Sequence, residues 1–185
     1  MAEKNRDGLT SETEKYLEKE NLPKKYFFYL GTFEPRKNIK RLIDAFKEFK
    51  RNSGFEDVGL VLAGGKGWLE SKTGVDTNSF VENKIFNLGF VDQIFLPSLY
   101  AGALAFVYPS LYEGFGLPIL EAMKYGKAII TSNTSSLPEV AGDAALYIDP
   151  HSTSSIANAL YSMAKNETLR EKLSRNASQA CKNFT

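Results

Sequence analysis

Two glutamates, Glu113 and Glu121, bracket the segment Gly114-Phe115-Gly116-Leu117-Pro118. Pro118 suits the first turn of a helix, so Glu113 and both glycines fall in the preceding loop and Glu121 about one turn into the helix. Glycines there leave backbone N–H groups open to close approach, at the positive end of a helix dipole. A carboxylate on either side of such a turn accepts hydrogen bonds from two sets of hydroxyls, one on a sugar ring and one on a ribose. The arrangement suits a sugar joined to a nucleotide through a diphosphate. From spacing alone, a surface Glu and a capping Glu would be the plainer reading. A buried strand just upstream and the Gly-Phe-Gly setting favour the ligand site.

Four further loops carry residues that such a ligand could use. Gly31-Thr32-Phe33-Glu34-Pro35-Arg36-Lys37-Asn38 places two adjacent cations immediately before a helix, where pyrophosphate is the natural guest; solvated charges with Asn38 as a cap are the alternative. Ala63-Gly64-Gly65-Lys66-Gly67-Trp68 invites comparison with phosphate loops but lacks the Ser or Thr of a Walker motif and the third glycine of a dinucleotide fingerprint. It leaves Gly64 as a point of close backbone approach and Lys66 as a phosphate contact, or simply a turn. Gly89-Phe90-Val91-Asp92 offers backbone groups and the apolar Phe90 and Val91 for the edge and face of a nucleobase, unless both side chains are core. Ser135 and Ser136 could touch sugar or phosphate, although local turn bonding is the commoner use of such hydroxyls. His151, the only histidine, follows Asp149-Pro150 and reads as a helix-start residue, not a base. No cluster of His, Cys, Asp or Glu has metal-ligand spacing, and no nucleophile, base and orienter set stands out.

All these loops must be held by something regular. From Tyr26 onward, short apolar runs end in Gly or Pro and are each followed by a segment of helical period, the pattern of a parallel sheet with crossover helices. Strands are expected at Tyr26–Leu30, Gly59–Ala63, Lys84–Leu88, Leu104–Tyr108, Ala128–Thr131 and Ala145–Ile148. Helices are expected at Ile39–Arg51, Ile94–Ala101, Leu117–Tyr125, Ser152–Ala164 and Glu167–Ala180, with a short one after Ser136. The fold class is therefore α/β: a single Rossmann-like domain with a parallel sheet of about six strands flanked by helices. Residues 1–25 read as a polar N-terminal tail with a linker helix near Ser11–Glu20, and residues 26–185 as the domain. Ligands of such sheets sit at the carboxyl ends of the strands, where every loop named above falls.

Composition narrows the classes. With 185 residues, 43% hydrophobic and 24% charged, the chain can bury one sizeable core. A formal net charge of +1 with interspersed signs gives no footprint for nucleic acid. The single cysteine allows no internal disulfide, and no apolar stretch is long enough to span a bilayer, so a cytoplasmic chain is expected. A peripheral position at the membrane is the alternative for a full-length parent.

The ordered series Leu30-Gly31-Thr32-Phe33-Glu34-Pro35-Arg36-Lys37-Asn38, Leu62-Ala63-Gly64-Gly65-Lys66-Gly67-Trp68, Leu88-Gly89-Phe90-Val91, Ser110 to Ala122 and Ser135 to Gly142 closely resembles the C-terminal domain of family 4 glycosyltransferases, nearest to mannosyltransferase-like members. The resemblance runs from about Tyr26 to the end of the chain. It implies the C-terminal, donor-binding lobe of a GT-B enzyme, retaining and metal-independent. By this resemblance Glu113 matches the first glutamate of the E-x7-E motif, near the donor sugar, and Glu121 the second, on the ribose hydroxyls. Lys37 matches the phosphate-binding lysine, with Arg36 beside it. Phe115 and Gly116 offer backbone N–H groups, Gly114 and Leu117 flank them, and Phe90 and Val91 lie at the base. The implied donor is a nucleoside diphosphate sugar, GDP-mannose ahead of UDP- or ADP-glucose, with no separate cofactor. Two departures stand out: Thr32 occupies a position where many members carry a second phosphate-binding arginine, and the N-terminal acceptor lobe is missing. A parent hexosyltransferase whose isolated lobe is inactive or weakly active is expected. The alternatives are a stand-alone nucleotide or sugar-phosphate binding module, or another GT-B enzyme such as a phosphorylase or epimerase.

Overall fold

The computed structural model describes residues 11–65 and 77–182. Six parallel strands form one sheet: β1 (Lys25–Leu30), β2 (Val58–Ala63), β3 (Ile85–Gly89), β4 (Ala105–Tyr108), β5 (Ile129–Ser132) and β6 (Ala145–Ile148). Their spatial order is β3-β2-β1-β4-β5-β6. The chain thus works outward from β1 to one edge, returns, and lays β4 on the other side of β1. This reversal is the topological switch point, the place where crossover loops diverge and leave a crevice.

The strands match their sequence expectations to within one residue at either end. They are legible because parallel strands covered on both faces must be apolar throughout; residues Tyr26–Tyr29, Val58–Ala63 and Ala105–Tyr108 are all buried. β3 starts one residue later than expected because Lys84 adopts a left-handed conformation (φ 55°) that closes the preceding turn.

Helix α1 spans Ser11–Lys19, α2 Ile39–Ser53, α3 Leu96–Gly102, α4 Leu117–Lys124, α5 Leu137–Ala141, α6 Thr153–Lys165 and α7 Glu167–Cys181. The apolar stripe of α2, Leu42, Ile43, Phe46 and Phe49, is buried, and the helix packs along α6. Gly54 ends α2 in the left-handed conformation at φ 70°. Side-chain caps start the last two helices: Ser152 Oγ accepts from Ser155 N at 3.1 Å and Asn166 Oδ1 from Leu169 N at 2.9 Å. The segment expected as a helix from Ile94 instead opens with a 3₁₀ turn at Gln93–Phe95 before α3, with Pro97 in the first turn of the α-helix.

The expected boundary at residue 25 separates a polar tail from the domain, yet α1 lies against α3. Leu17 is fully buried, Leu22 nearly so, and the Tyr16 ring stacks on Phe95 at 4.1 Å. Two leucines and one tyrosine on an otherwise Glu/Lys-rich segment suffice to dock it, because each removes apolar area from water at roughly 25 cal/mol per Å².

Candidate functional site

The site is assembled from two loops that leave neighbouring strands. After β1 the chain turns through Gly31 to Glu34 into a 3₁₀ turn at Pro35–Lys37. Asn38 then takes the left-handed conformation (φ 61°), one that Asn tolerates better than most residues, and starts α2. Its side-chain amide donates to Pro109 O at 3.0 Å and Pro150 O at 2.7 Å, tying the loop to the chain just after β4 and just after β6. Arg36 O is held by Leu111 N at 2.8 Å. The backbone that carries the two cations is therefore tied to the next loop by the Asn38 amide and by Arg36 O.

The loop after β4 presents Glu113, which is only 7% exposed. Its carboxylate Oε1 accepts from Lys37 Nζ at 2.6 Å, Ser110 Oγ at 2.6 Å and Tyr108 Oη at 2.9 Å, and Oε2 accepts from Arg36 Nη1 at 3.0 Å. Lys37, also 7% exposed, is bonded to the Tyr108 hydroxyl as well. The Glu113 backbone is pinned too: Ser135 Oγ donates to its carbonyl at 2.5 Å and Ser136 Oγ at 3.0 Å. Burial pushes the Glu113 carboxyl up, but hydrogen bonds from Lys37, Ser110 and Tyr108 outweigh it and hold the group below the usual carboxylate range. Tyr108 is pushed far up by burial and by its bond to Glu113, so its hydroxyl keeps its proton.

Arg36 is shared. Its Nε donates to Glu34 Oε2 at 2.8 Å while Nη1 reaches Glu113, and its side chain remains 45% exposed. Thr32, the residue that departs from the family pattern, donates to the other oxygen of Glu34 at 2.8 Å. Glu34 thus engages both Thr32 and Arg36, and the guanidinium faces the same carboxylate as Lys37.

Beyond Glu113 the loop opens. A side chain at Gly114 would meet nothing within 4 Å. Gly116 caps α4 in the left-handed conformation (φ 85°), and there a Cβ would press on Leu137 Cδ2 at 3.0 Å. Phe115 and Leu117 are 50% and 68% exposed, and Phe90, after β3, is 73% exposed. Phe90 is therefore not core, while Val91 is half-buried against the core. Glu121 lies one turn into α4, half-buried, with the buried Tyr100 hydroxyl donating to it at 3.3 Å.

Gly64 is also a point of close approach within the protein itself. At φ 112° it lies against the neighbouring loop, where a Cβ would come within 2.3 Å of Gly31 O, and its N–H donates to Gly89 O at 2.7 Å. Lys66 lies outside the described residues. Ser135 and Ser136 direct their hydroxyls to the Glu113 backbone. His151 is exposed, and its N–H donates to Asp149 Oδ1 at 2.8 Å in the turn before α6. Among the described residues no group of three or more His, Cys, Asp or Glu comes together to hold a metal, and no helix is long and apolar enough to cross a membrane.

Sequence reasoning brought Arg36, Lys37 and Glu113 to one crevice but did not pair them with one another. It missed Tyr108, Ser110 and Tyr100. One signal was available: a tyrosine inside a fully buried strand or helix needs a partner for its hydroxyl, and carboxylates nearby in the chain are the candidates.

Similarity to known proteins bears on family and fold. The family model described as glycosyl transferases group 1 matches residues 11–180. The O-antigen chain mannosyltransferase B of Escherichia coli is 42% identical over 147 residues, covering 79% of this chain and 38% of that protein. The serotype-specific mannosyltransferase WbdA of the same organism is 33% identical over 164 residues, covering 86% of this chain and 20% of that protein. Among solved structures, the sucrose-phosphate synthase of Thermosynechococcus elongatus superposes with a TM-score of 0.78 at 24% identity, over 94% of this chain and 44% of that one. Anabaena HepE, solved in complex with UDP and glucose, also gives 0.78, at 20% identity, over 95% of this chain and 48% of that one. This chain thus spans less than half the length of each of these proteins. The fold is that of one Rossmann-like lobe of a GT-B glycosyltransferase, and the chain belongs to the group 1 glycosyl transferases.

Proposed function

We propose that this chain is the donor-binding lobe of a retaining hexosyltransferase, and that it takes a nucleoside diphosphate sugar, GDP-mannose first among the candidates. The observation that carries the reading is the buried Lys37–Glu113 pair at the switch point. Two cations from the β1 loop meet a carboxylate from the β4 loop beside an open glycine and a helix start. Burying charges is expensive unless they are paired, so a buried pair next to open space is a reasonable place for a charged ligand to enter.

In this reading Lys37 and Arg36, with the N–H groups near Gly116, take the diphosphate and stabilise its departure. Such fixed electrostatic donors are typically worth about 3 kcal/mol each in a transition state. Glu113 orients the hexose through its hydroxyls, and Glu121 accepts from the ribose. Phe90 and Val91 lie along the base. No separate cofactor and no metal take part. The mannosyltransferase relatives favour mannose, and an N-terminal lobe in the parent supplies the acceptor site, so the isolated chain transfers sugar weakly or not at all. A stand-alone binding module would use the same lobe without transfer.

Calorimetric titration with GDP, UDP and ADP in EDTA tests the donor site. One nucleotide is expected to bind, and Lys37→Ala and Glu121→Ala should each weaken it about tenfold, the loss of one charge-assisted hydrogen bond. Affinity indifferent to both substitutions would remove the assignment. Retention is read separately, from the anomeric configuration of the product made by a two-lobe parent; inverted product would refute it.

A further inference from the structure

We propose that Tyr108 is a positioning residue for the diphosphate, its hydroxyl fixing the direction in which the Lys37 ammonium presents its remaining proton. The inference rests on the reading of Lys37 as a diphosphate ligand.

Tyr108 is the last residue of β4 and is fully buried. Its ring lies between two others, stacked on Tyr29 at 6.1 Å and on Phe106 at 5.8 Å. Its carbonyl is held by Thr131 Oγ1 at 2.8 Å. The phenol oxygen therefore has essentially one place to be. It accepts from Lys37 Nζ and donates to Glu113 Oε1 at 2.9 Å, so that ammonium, phenol and carboxylate are each bonded to the other two.

An ammonium group has three N–H donors. On Lys37, two are used, by Glu113 Oε1 and by the Tyr108 hydroxyl; the third has no acceptor among the described residues. Two fixed acceptors leave the tetrahedral nitrogen no freedom, so the direction of the third N–H is set. With Glu113 as its only acceptor, the ammonium would pivot about that bond, and ordering it would fall to the ligand. Pre-organisation of this kind raises affinity by reducing the entropy lost on binding. Phenylalanine would fill the same space at position 108, so the oxygen and not the ring is the functional part. Tyr108 touches no ligand in this account and acts on the diphosphate only through Lys37.

The test is a double-mutant cycle on this chain, with GDP, UDP and ADP as calorimetric probes. Tyr108→Phe is expected to weaken the nucleotide that binds about 3- to 10-fold, the range of one neutral hydrogen bond. In a Lys37→Ala background the same substitution should change nothing, because the residue it acts through is gone. Unchanged affinity in Tyr108→Phe, while Lys37→Ala weakens binding, overturns the inference and leaves the diphosphate reading intact. An equal loss in both backgrounds also overturns it, since packing and not Lys37 would then be the route. If no nucleotide binds the wild-type chain, or Lys37→Ala has no effect, the underlying reading fails and takes the inference with it. Should Tyr108→Phe not fold, 3,5-difluorotyrosine at position 108 keeps the ring and weakens the oxygen as an acceptor. A lower affinity supports the proposal, and an unchanged one overturns it.

Discussion

Glu113 and Glu121 belong to one short segment and carry the same functional group, but the protein treats them differently. Glu113 is 7% exposed and accepts from four side chains, three from the two loops and one from the end of β4. Glu121 sits on a regular helix, half-buried, with one long bond from Tyr100 at 3.3 Å. The first is part of the framework as well as of the site; the second is held by its helix and keeps most of its hydrogen-bonding capacity for a ligand. A carboxylate that joins two loops must be fixed before a ligand arrives, whereas one that meets ribose hydroxyls, the role proposed for Glu121, can be placed by a turn of helix.

The comparison can be broken by experiment. The largest expected effect is on folding: Glu113→Ala leaves Lys37 buried without its counter-charge, which should cost about 3 kcal/mol of stability in urea unfolding, in the range for breaking a buried pair. Glu121→Ala should cost less than about 1 kcal/mol in the same assay, because it removes one weak bond at a half-exposed position. Equal losses would erase the distinction.

A second contrast lies in pH. The folded-state carboxyl of Glu113 is held below its ordinary value of 4.5, so the native state binds this proton less readily than the unfolded chain. Its contribution to stability is complete above that value and is lost as pH falls through the lower folded-state value. Below about pH 4.5 the wild-type should therefore lose stability more steeply than Glu113→Gln, which has no proton to take up. Parallel unfolding curves for the two proteins across that window would contradict the hydrogen-bonded account of Glu113. The smallest effect is expected for Tyr100→Phe, whose long bond to Glu121 should be worth about 0.5 kcal/mol in stability and less than about threefold in nucleotide affinity.

The same contrast runs through what the sequence allowed one to read. The central strands β1, β2, β4 and β5 could be placed because a parallel strand covered on both faces is a short apolar run, and the partly exposed edge strands β3 and β6 because they keep enough of that pattern. Glu121, Gly114 and Gly116 could be placed because a helix start has local markers. The clamp around Glu113 could not. Its donors come from Arg36, Lys37, Tyr108 and Ser110, and whether a hydroxyl or ammonium turns inward depends on the partner that awaits it across the sheet. The docking of α1 was hidden for a similar reason: Tyr16 and Leu17 are a small apolar minority among charges, and Phe95, their counterpart, lies far along the chain. The expectation that Gly64 meets a ligand missed the Gly31 backbone beside it, a contact visible only once β1 and β2 are paired.

The central ion pair joins residues 76 positions apart, across a β1–β4 ladder whose register includes only Phe27 with Ala105 and Phe28 with Phe106. Loop closure over that distance must precede the contact, so the crevice cannot form locally during folding. No fragment ending before Glu113 can contain it, and any opening that separates β1 from β4 removes it at once. Occupation of the crevice therefore reports on the global native state, and a bound diphosphate would slow or suppress the sheet-splitting fluctuation that amide exchange detects at β1 and β4.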